Sequence, residues 1–373
     1  MIGVLADDFT GAAEAAGAAF AAGYSAEVQT VFDPGTDADV VVVDTETRDT
    51  QSRRAVSTAA AAARLMRMAG PEWVFKKVDS LFRGHVAAEV RAVQHAFGLR
   101  RALVAAANPA IGRTIQNGRY LVGGVPLARS TLYADPLYPR TSSDVAHLLG
   151  ASPSSRLSVP DVASIRDLDR LALMLEPDTL AAGSGAFFEA MLRVRGAPLG
   201  AGAAAQGENR PERPPLFVCG SMAAWRAGRA DEAARRGIPV FTFPPALLHA
   251  GNVEAELETF VRSIRSRKDR VFLAIGTSEP VNDVAPGVLE ERLAAAAHRL
   301  LTGFRSVFVE GGASAAALIR RSGWTRLRVV HRFAPGVVTL SPHGAPGSPT
   351  VTTKAGSYAW PEAVWEYAAR RDR

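Results

Sequence analysis

The sequence predicts an α/β protein of two domains, each a mainly parallel sheet flanked by helices. Three observations carry that expectation. In the first half, short apolar runs alternate with polar turns and alanine-rich helical stretches, the pattern of strands joined by crossover helices. From about residue 195 to 215 the chain turns to Gly, Ala, Pro and charge without apolar periodicity, which reads as a linker. The strand and helix alternation then restarts. A chain of 373 residues, 47% of them hydrophobic, is also about twice the usual domain length. The expected division is residues 1–197 as the N-terminal domain, 198–214 as the linker and 215–373 as the C-terminal domain.

The elements follow in order. The apolar run Ile2–Ala6 is the first buried strand, and the alanine-rich stretch Ala12–Ala22 is the helix after it. Further short apolar runs predict strands at Glu27–Val31, Val40–Asp44, Trp73–Val78, Ala102–Ala106 and Thr179–Ala182, with helices at Ser52–Met68, Val86–Phe97 and Ser164–Leu175. Between them Pro126, Thr131, Asp135 and Pro136 punctuate a long irregular segment. Beyond the linker, strands are expected at Leu216–Cys219, Val240–Phe243, Val271–Ile275 and Ser306–Val309. Helices are expected near Ala223–Arg235, Val253–Arg267, Gly287–Thr302 and Ala313–Ser322. Paired β-like runs from Leu327 to Val351, broken at Pro335-Gly336, and a short helix from Pro361 close the chain.

Composition excludes several classes. Cys219 is the only cysteine, so no internal disulfide or cysteine-rich metal site can form, and a reducing compartment, the cytoplasm, is expected. No uncharged apolar stretch of roughly 18 residues occurs, so neither a membrane span nor a signal peptide is expected. The formal charge of +6 invites a nucleic-acid reading, but the basic residues are spread out and the densest run, Arg262 to Arg270, lacks interleaved aromatics. Histidines 85, 95, 147, 249, 298, 331 and 343 show no pair at ligand spacing, which argues against zinc. Only four of the 43 basic residues are lysines: Lys76, Lys77, Lys268 and Lys354. A lysine kept against that bias suggests a place that needs a point charge rather than a planar fork.

The chemistry gathers at predicted strand ends, where open parallel sheets bind ligands. Ile2–Ala6 runs into Asp7-Asp8-Phe9-Thr10-Gly11, two carboxylates ahead of a helix that would hold substrate or magnesium; the plainer alternative is that Asp8 or Thr10 caps the helix. Lys76-Lys77-Val78-Asp79-Ser80-Leu81-Phe82-Arg83-Gly84-His85 brings cation, acid, hydroxyl and guanidinium within one turn, either as a site or as a solvated loop. Thr45-Glu46-Thr47-Arg48 and Asn108-Pro109 with Gly112-Arg113-Thr114 are weaker clusters of the same kind. In the second half, Glu310-Gly311-Gly312-Ala313-Ser314, Gly220-Ser221 and Gly276-Thr277-Ser278 each follow a strand, where glycine lets the backbone approach a phosphate. No Walker loop and no strand-linked GxGxxG is present, so a P-loop kinase or an ordinary nicotinamide dehydrogenase lacks its main signature. Lys354-Ala355-Gly356-Ser357-Tyr358 adds a scarce lysine to the phosphate-binding picture.

With these residues assembled, the chain resembles the four-carbon acid sugar kinase family of threonate, erythronate and 3-oxo-tetronate kinases. The resemblance runs end to end through ADDFTGA, DTETR, KKVDSLFRG, NPAIGRT with downstream GVPL and DPLYP, AGSGAF, CGS, EGGASA, APG and TKAGSY, in the family's order. It implies an acid-binding N-terminal domain, an ATP-binding C-terminal domain and phosphorylation of a terminal hydroxyl in the cleft between them. It further implies substrate contacts from Asp7, Asp8, Arg48, Lys77, Asp79, Ser80 and Arg83, with Asp8 and Asp79 as the catalytic candidates. Nucleotide contacts are implied for Ser221, Gly311, Gly312, Ala313, Ser314, Lys354 and Gly356, with Mg2+ and Lys354 screening the phosphates of ATP and no metal ligand assigned. The expected partners are a small sugar acid and ATP, with no nucleic acid and no membrane, and a homo-oligomer is left open.

The chain departs from the family's usual Asp-Ser-Thr-Leu-Arg-Gly-Asn by carrying Leu81, Phe82 and His85, and in its last motif by Ala355, Ser357, Tyr358 and Ala359. Loss of a substrate-facing hydroxyl at Leu81 would shift acid preference by about 1–3 kcal/mol. The alternative the departures raise is a non-catalytic sugar-acid-binding or effector protein on the same scaffold.

Overall fold

The computed structural model describes all residues except 131–137, 140, 152, 153, 155, 197–213, 250, 268, 278–280, 282, 283, 286, 356, 357 and 370–373. The expected linker up to residue 213 lies outside the described residues, as do Thr131, Asp135, Pro136, Ser278, Gly356 and Ser357. By internal contacts the chain divides into two compact units, Met1–Ala205 and Gln206–Arg373.

The first unit opens with β1 (Ile2–Ala6), α1 (Phe9–Ala21), β2 (Ala26–Gln29), β3 (Val40–Asp44), α2 (Ser52–Met68), β4 (Val74–Lys77), α3 (Val86–Phe97) and β5 (Arg101–Ala105). A small antiparallel sheet follows: β6 (Arg113–Gln116), β7 (Arg119–Val122) and β8 (Val125–Pro126). Then come α4 (Val145–Leu149), β9 (Leu157–Ser158), α5 (Ile165–Leu173), β10 (Thr179–Gly183) and α6 (Gly185–Arg195). The main sheet runs β2-β3-β1-β4-β10-β5-β9 with every pair parallel. Both faces are covered, α1 packing on α6 and α2 on α3, so β1, β3 and β4 are buried at every residue.

Alanine decides how closely the helices approach. On α2 the buried positions Ala55, Ala59, Ala63 and Met66 form one stripe at helical spacing. α1 is alanine on most sides and buried on most sides, which is why it shows little amphipathic pattern. It starts at Phe9, earlier than the expected Ala12, because the Asp8 carboxylate accepts the Gly11 N–H at 2.9 Å and caps the first turn.

The second unit holds β11 (Pro215–Cys219), α7 (Met222–Arg226), α8 (Arg229–Arg235), β12 (Val240–Thr242), α9 (Glu254–Arg265), β13 (Val271–Ala274), α10 (Val288–Leu300), β14 (Ser306–Glu310) and α11 (Gly312–Arg321). β15 (Arg326–Ala334), β16 (Val337–Pro342), β17 (Thr350–Lys354) and α12 (Glu362–Ala369) complete it. Strand order is β12-β13-β11-β14-β17-β16-β15, parallel as far as β17 and antiparallel beyond. Its core stacks Phe217 between Phe308 and Trp365, with ring centroids 4.9 and 5.3 Å away, and Trp360 stands edge-on.

Three expectations are corrected. The single helix expected over Ala223–Arg235 is two, because Gly228 sits at φ 72° between them. The irregular segment after Ala106 contains the small sheet, α4 and β9. Helix α6 was not anticipated; Ser184 caps it and Phe187, Phe188, Met191 and Leu192 bury its apolar side.

The register places the chemistry. Asp44, Ala6, Lys77, Gly183 and Ala105 lie side by side at the carboxyl ends of β3, β1, β4, β10 and β5. Ala274, Cys219, Glu310 and Lys354 do the same on β13, β11, β14 and β17. Gly183 is required in its row, since a Cβ there would lie 2.3 Å from the Ala105 carbonyl oxygen and 2.9 Å from the Phe187 ring. Gly183→Ala is therefore expected to destabilise the protein by about 1–3 kcal/mol, read as a lower urea midpoint at unchanged m-value; an unchanged midpoint would contradict this packing.

Candidate active site

The first unit gathers one charged cluster at its strand ends. The Arg48 guanidinium is gripped by both aspartates that follow β1. Its Nε and Nη2 donate to Asp7 at 2.9 and 3.0 Å, and its Nη1 and Nη2 to Asp8 at 2.5 and 2.7 Å. Backbone bonds lock the same pairing, the N–H groups of Thr47 and Arg48 both donating to the Asp7 carbonyl. Gly84, at φ 80°, lets the next loop press against the Arg48 backbone. Burial would raise the Asp7 carboxyl, but Arg48 and Lys76 outweigh it and hold it below the ordinary carboxylate value.

Asp79 is fixed in the same manner. Its carboxylate accepts from Arg83 Nε at 3.0 Å and Nη2 at 2.8 Å and from the backbone N–H groups of Leu81 and Arg83. Burial opposes ionisation, yet Arg83 and Arg48 hold the group well below the usual carboxylate range. Lys77 pairs with Glu14 at 3.0 Å and is buried beneath Gly11. Ser80 receives the Arg113 Nη1 at 2.5 Å on its hydroxyl and the Tyr120 hydroxyl at 2.5 Å on its carbonyl, so the small sheet is tied to the Asp79 loop.

All of the substrate residues expected in this unit therefore share one neighbourhood. Their openness differs: the Asp8 side chain is 16% exposed against 5% for Asp7 and 7% for Asp79, while Arg83 reaches 32%. Asp8 caps α1 and keeps part of its side chain exposed. The Leu81 side chain is buried, and Phe82 packs edge-on to Tyr120 at 6.0 Å from φ 58°. His85 Nε2 lies 2.6 Å from the Thr50 carbonyl oxygen. From sequence alone Arg113 is named only within the weak Gly112-Arg113-Thr114 cluster, and Glu14 and Tyr120 are not named; the Asn117-Gly118 dipeptide marks the hairpin that carries Arg113 and Tyr120.

In the second unit the strand-end row leads into two abutting loops. Gly220 closes on Ser314, whose Oγ lies 1.9 Å from where a Cβ would stand, and Gly311 at φ 108° lies against Ser221 and Ser314. The first helical bond of α11 is Ala315 N–H to the Gly311 carbonyl, and among the described residues the N–H groups of Gly312, Ala313 and Ser314 have no partner. Ser221 caps α7 by accepting the Ala224 N–H at 3.2 Å.

Lys354 behaves otherwise than expected. It is fully buried, and its ammonium is spent on Glu310, on the Tyr358 carbonyl at 2.6 Å and on the Ala355 carbonyl at 3.2 Å, above the Trp360 ring at 4.9 Å. A direct screen of phosphate by Lys354 is thus replaced by a structural role: it fixes the turn that follows β17. Burial raises the Glu310 carboxyl and lowers the Lys354 ammonium, each partly offset by the other, and pushes the Cys219 thiol up to about 12. Among the described residues no group of three or more His, Cys, Asp or Glu could hold a metal, the Asp7 and Asp8 carboxylates being turned to Arg48.

Two α/β units, the first with polar strand ends around an arginine held by aspartates and the second with glycine loops at a helix N-terminus, define a two-domain protein of mainly parallel sheets. Residues 2–182 match the family described as "Sugar-binding N-terminal domain". The chain is 29% identical to a 3-oxo-tetronate kinase of Methylobacterium radiotolerans, over 96% of both chains. It is 32% identical to a D-threonate kinase of Salmonella typhimurium, over 69% of this chain and 67% of that one. The chain belongs to the four-carbon acid sugar kinase family. Its fold is that of a Salmonella typhimurium protein (TM-score 0.77, 20% identity, 99% of this chain and 98% of that one) and of a Haemophilus influenzae protein (TM-score 0.70, 18% identity, 98% of each).

Two outcomes test the electrostatics. Asp44 is buried beside Asp7 and Asp8, among the described residues only the Glu46 N–H donates to it, at 3.0 Å, and burial raises its carboxyl well above the ordinary value. A carboxyl raised on folding takes stability away as pH climbs past its unfolded value near 3.8. Asp44→Asn is expected to raise Tm, and by more at pH 8 than at pH 5; a loss, or an equal gain at both, would contradict the assignment. For the second unit, Lys354→Met leaves the Glu310 carboxyl buried without its ammonium and is expected to cost about 3–5 kcal/mol. Adding Glu310→Gln should recover most of that loss in urea unfolding, and equal losses in single and double variants would refute the pairing.

Proposed function

We propose that the protein is an ATP-dependent kinase that phosphorylates the terminal hydroxyl of a four-carbon sugar acid of the threonate, erythronate or 3-oxo-tetronate type. The relatives' names support a kinase, and the observation that carries the finer reading is the charge-compensated cluster in the unit matching a sugar-binding domain. Phosphoryl transfer asks a protein for positioning and charge neutralisation more than for covalent chemistry. Asp7, Arg48, Asp79 and Arg83 hold one another in place, and Asp8, although it accepts from Arg48, Thr10 and Gly11, is the most exposed of the three aspartates. Asp8 is the proposed acceptor of the hydroxyl proton; Lys77 stands behind it, and Ser80 and Arg83 border the acid.

The second unit fits a phosphate donor. The unspent N–H groups of Gly312, Ala313 and Ser314 at the positive end of α11 would hold the phosphates of ATP, with Ser221 alongside. Magnesium would arrive with the nucleotide, ligated by phosphate oxygens and water, and would supply neutralisation of the phosphate charge.

An ADP-release assay with magnesium-ATP over the four-carbon acids and their keto forms tests the reading. Turnover of at least one acid is expected, and folded protein that turns over none of them would sink it. Asp8→Asn keeps the helix cap but removes the base, so kcat should fall about 10²–10⁴-fold with the KM for ATP unchanged. A loss confined to ATP affinity would refute the role given to Asp8.

A further inference from the structure

The cations around the first unit's site differ in one respect: whether the fold already neutralises them. Arg48 is held by Asp7 and Asp8, Lys77 by Glu14 at 3.0 Å, Lys76 by Glu89 at 2.9 Å and Arg83 by Asp79 at 2.8 Å. Among the described residues Arg113 has no such partner. Its side chain makes one hydrogen bond, Nη1 to Ser80 Oγ at 2.5 Å, and among the described residues no carboxylate meets it.

The fold nevertheless holds Arg113 firmly. It opens β6, and its backbone exchanges two hydrogen bonds with Asn108, at 2.9 and 3.0 Å. Tyr120, across the hairpin, anchors the same sheet to the Ser80 carbonyl. Arg113 is half-buried beside the residue that follows Asp79, and among the described residues most of its donor fork is unspent. A partly desolvated guanidinium without a counter-ion favours an anion, and its planar fork matches a carboxylate bidentately. A second observation concerns Asn108, whose backbone pairs with that of Arg113. Among the described residues the buried Asn108 Oδ1 receives no hydrogen bond, an acceptor that a hydroxyl would satisfy.

We propose that Arg113 takes the carboxylate of the acid substrate while Asn108 accepts a hydrogen bond from one of its hydroxyls. This assignment rests on the acid-kinase reading and supplies what that reading lacks, a residue that distinguishes an acid from a neutral sugar derivative. Arg48 is unsuited to the task, since its Nε, Nη1 and Nη2 are all engaged by aspartates. Holding the carboxylate at Ser80 and Arg113 leaves the far end of a short chain, and its terminal hydroxyl, to meet Asp8.

The test compares full-length wild type with Arg113→Gln and Arg113→Lys, using a four-carbon acid the wild type phosphorylates and the neutral carboxamide of that acid. Removing a bidentate charge-assisted contact should raise the KM for the acid about 100-fold in Arg113→Gln, with kcat within about threefold and the KM for the amide hardly moved. The preference for acid over amide should then collapse, and Arg113→Lys should restore part of it. Equal rises for acid and amide would show that Arg113 only supports the loop, and an unchanged preference would place the carboxylate elsewhere; either overturns the proposal. If Arg113→Gln does not fold, by thermal melt, Arg113→Lys decides alone: a preference about tenfold lower supports the assignment and an unchanged one refutes it. Wild type that phosphorylates no acid would instead overturn the acid-kinase reading beneath it.

Discussion

Two carboxylates cannot end a buried strand without a cation to meet them, and Arg48 is that cation for Asp7 and Asp8. The rest of the first unit's site is arranged around this grip. It ties the loop after β3 to the loop after β1, and Gly84 allows the loop after β4 to close on the Arg48 backbone. Because Asp7 takes one edge of the guanidinium and Asp8 the other, the two aspartates are not equivalent. Asp7 is sealed inside, while Asp8 caps a helix, accepts from Thr10 at 2.6 Å and stays partly exposed. Which carboxylate faces outward is thus decided by how the arginine is shared.

The second unit uses the same device for another end. Lys354 and Glu310 sit on neighbouring strands in register, so their pairing is a consequence of sheet geometry. The pair is buried among Trp360, Cys219 and the turn after β17, and it shapes a loop rather than presenting a charge. What remains open nearby is backbone: the helix N-terminus behind Gly311 and the glycine at 220. In both units the cations that look most like ligands in the sequence are those the fold uses to hold itself.

Much of this was legible in the sequence. Strand ends carry the chemistry in a parallel sheet, and the runs Ile2–Ala6, Val40–Asp44 and Ser306–Val309 are too apolar and too short to be anything but buried strands. The carboxyl-end clusters could therefore be named before any geometry. Pairings could not, since nothing along the chain says that Arg48 is shared by Asp7 and Asp8 or that Lys354 points inward to Glu310. Helix α6 hid because Gly183, Ser184 and Gly185 look like a turn, although Gly183 is there for close approach to β5 and Ser184 for capping. The hairpin that delivers Arg113 was announced by Asn117-Gly118, a turn signal obscured by the prolines and glycines after it.

The distinction between Arg48, which Asp7 and Asp8 neutralise, and Arg113, which no carboxylate among the described residues meets, underlies the account of the acid site. It is tested most directly by a crystal structure of the full chain with a bound four-carbon acid. The account predicts the acid's carboxylate on the Arg113 fork, with Arg48 still held by Asp7 and Asp8. A carboxylate lying on Arg48, with either aspartate displaced, would contradict it.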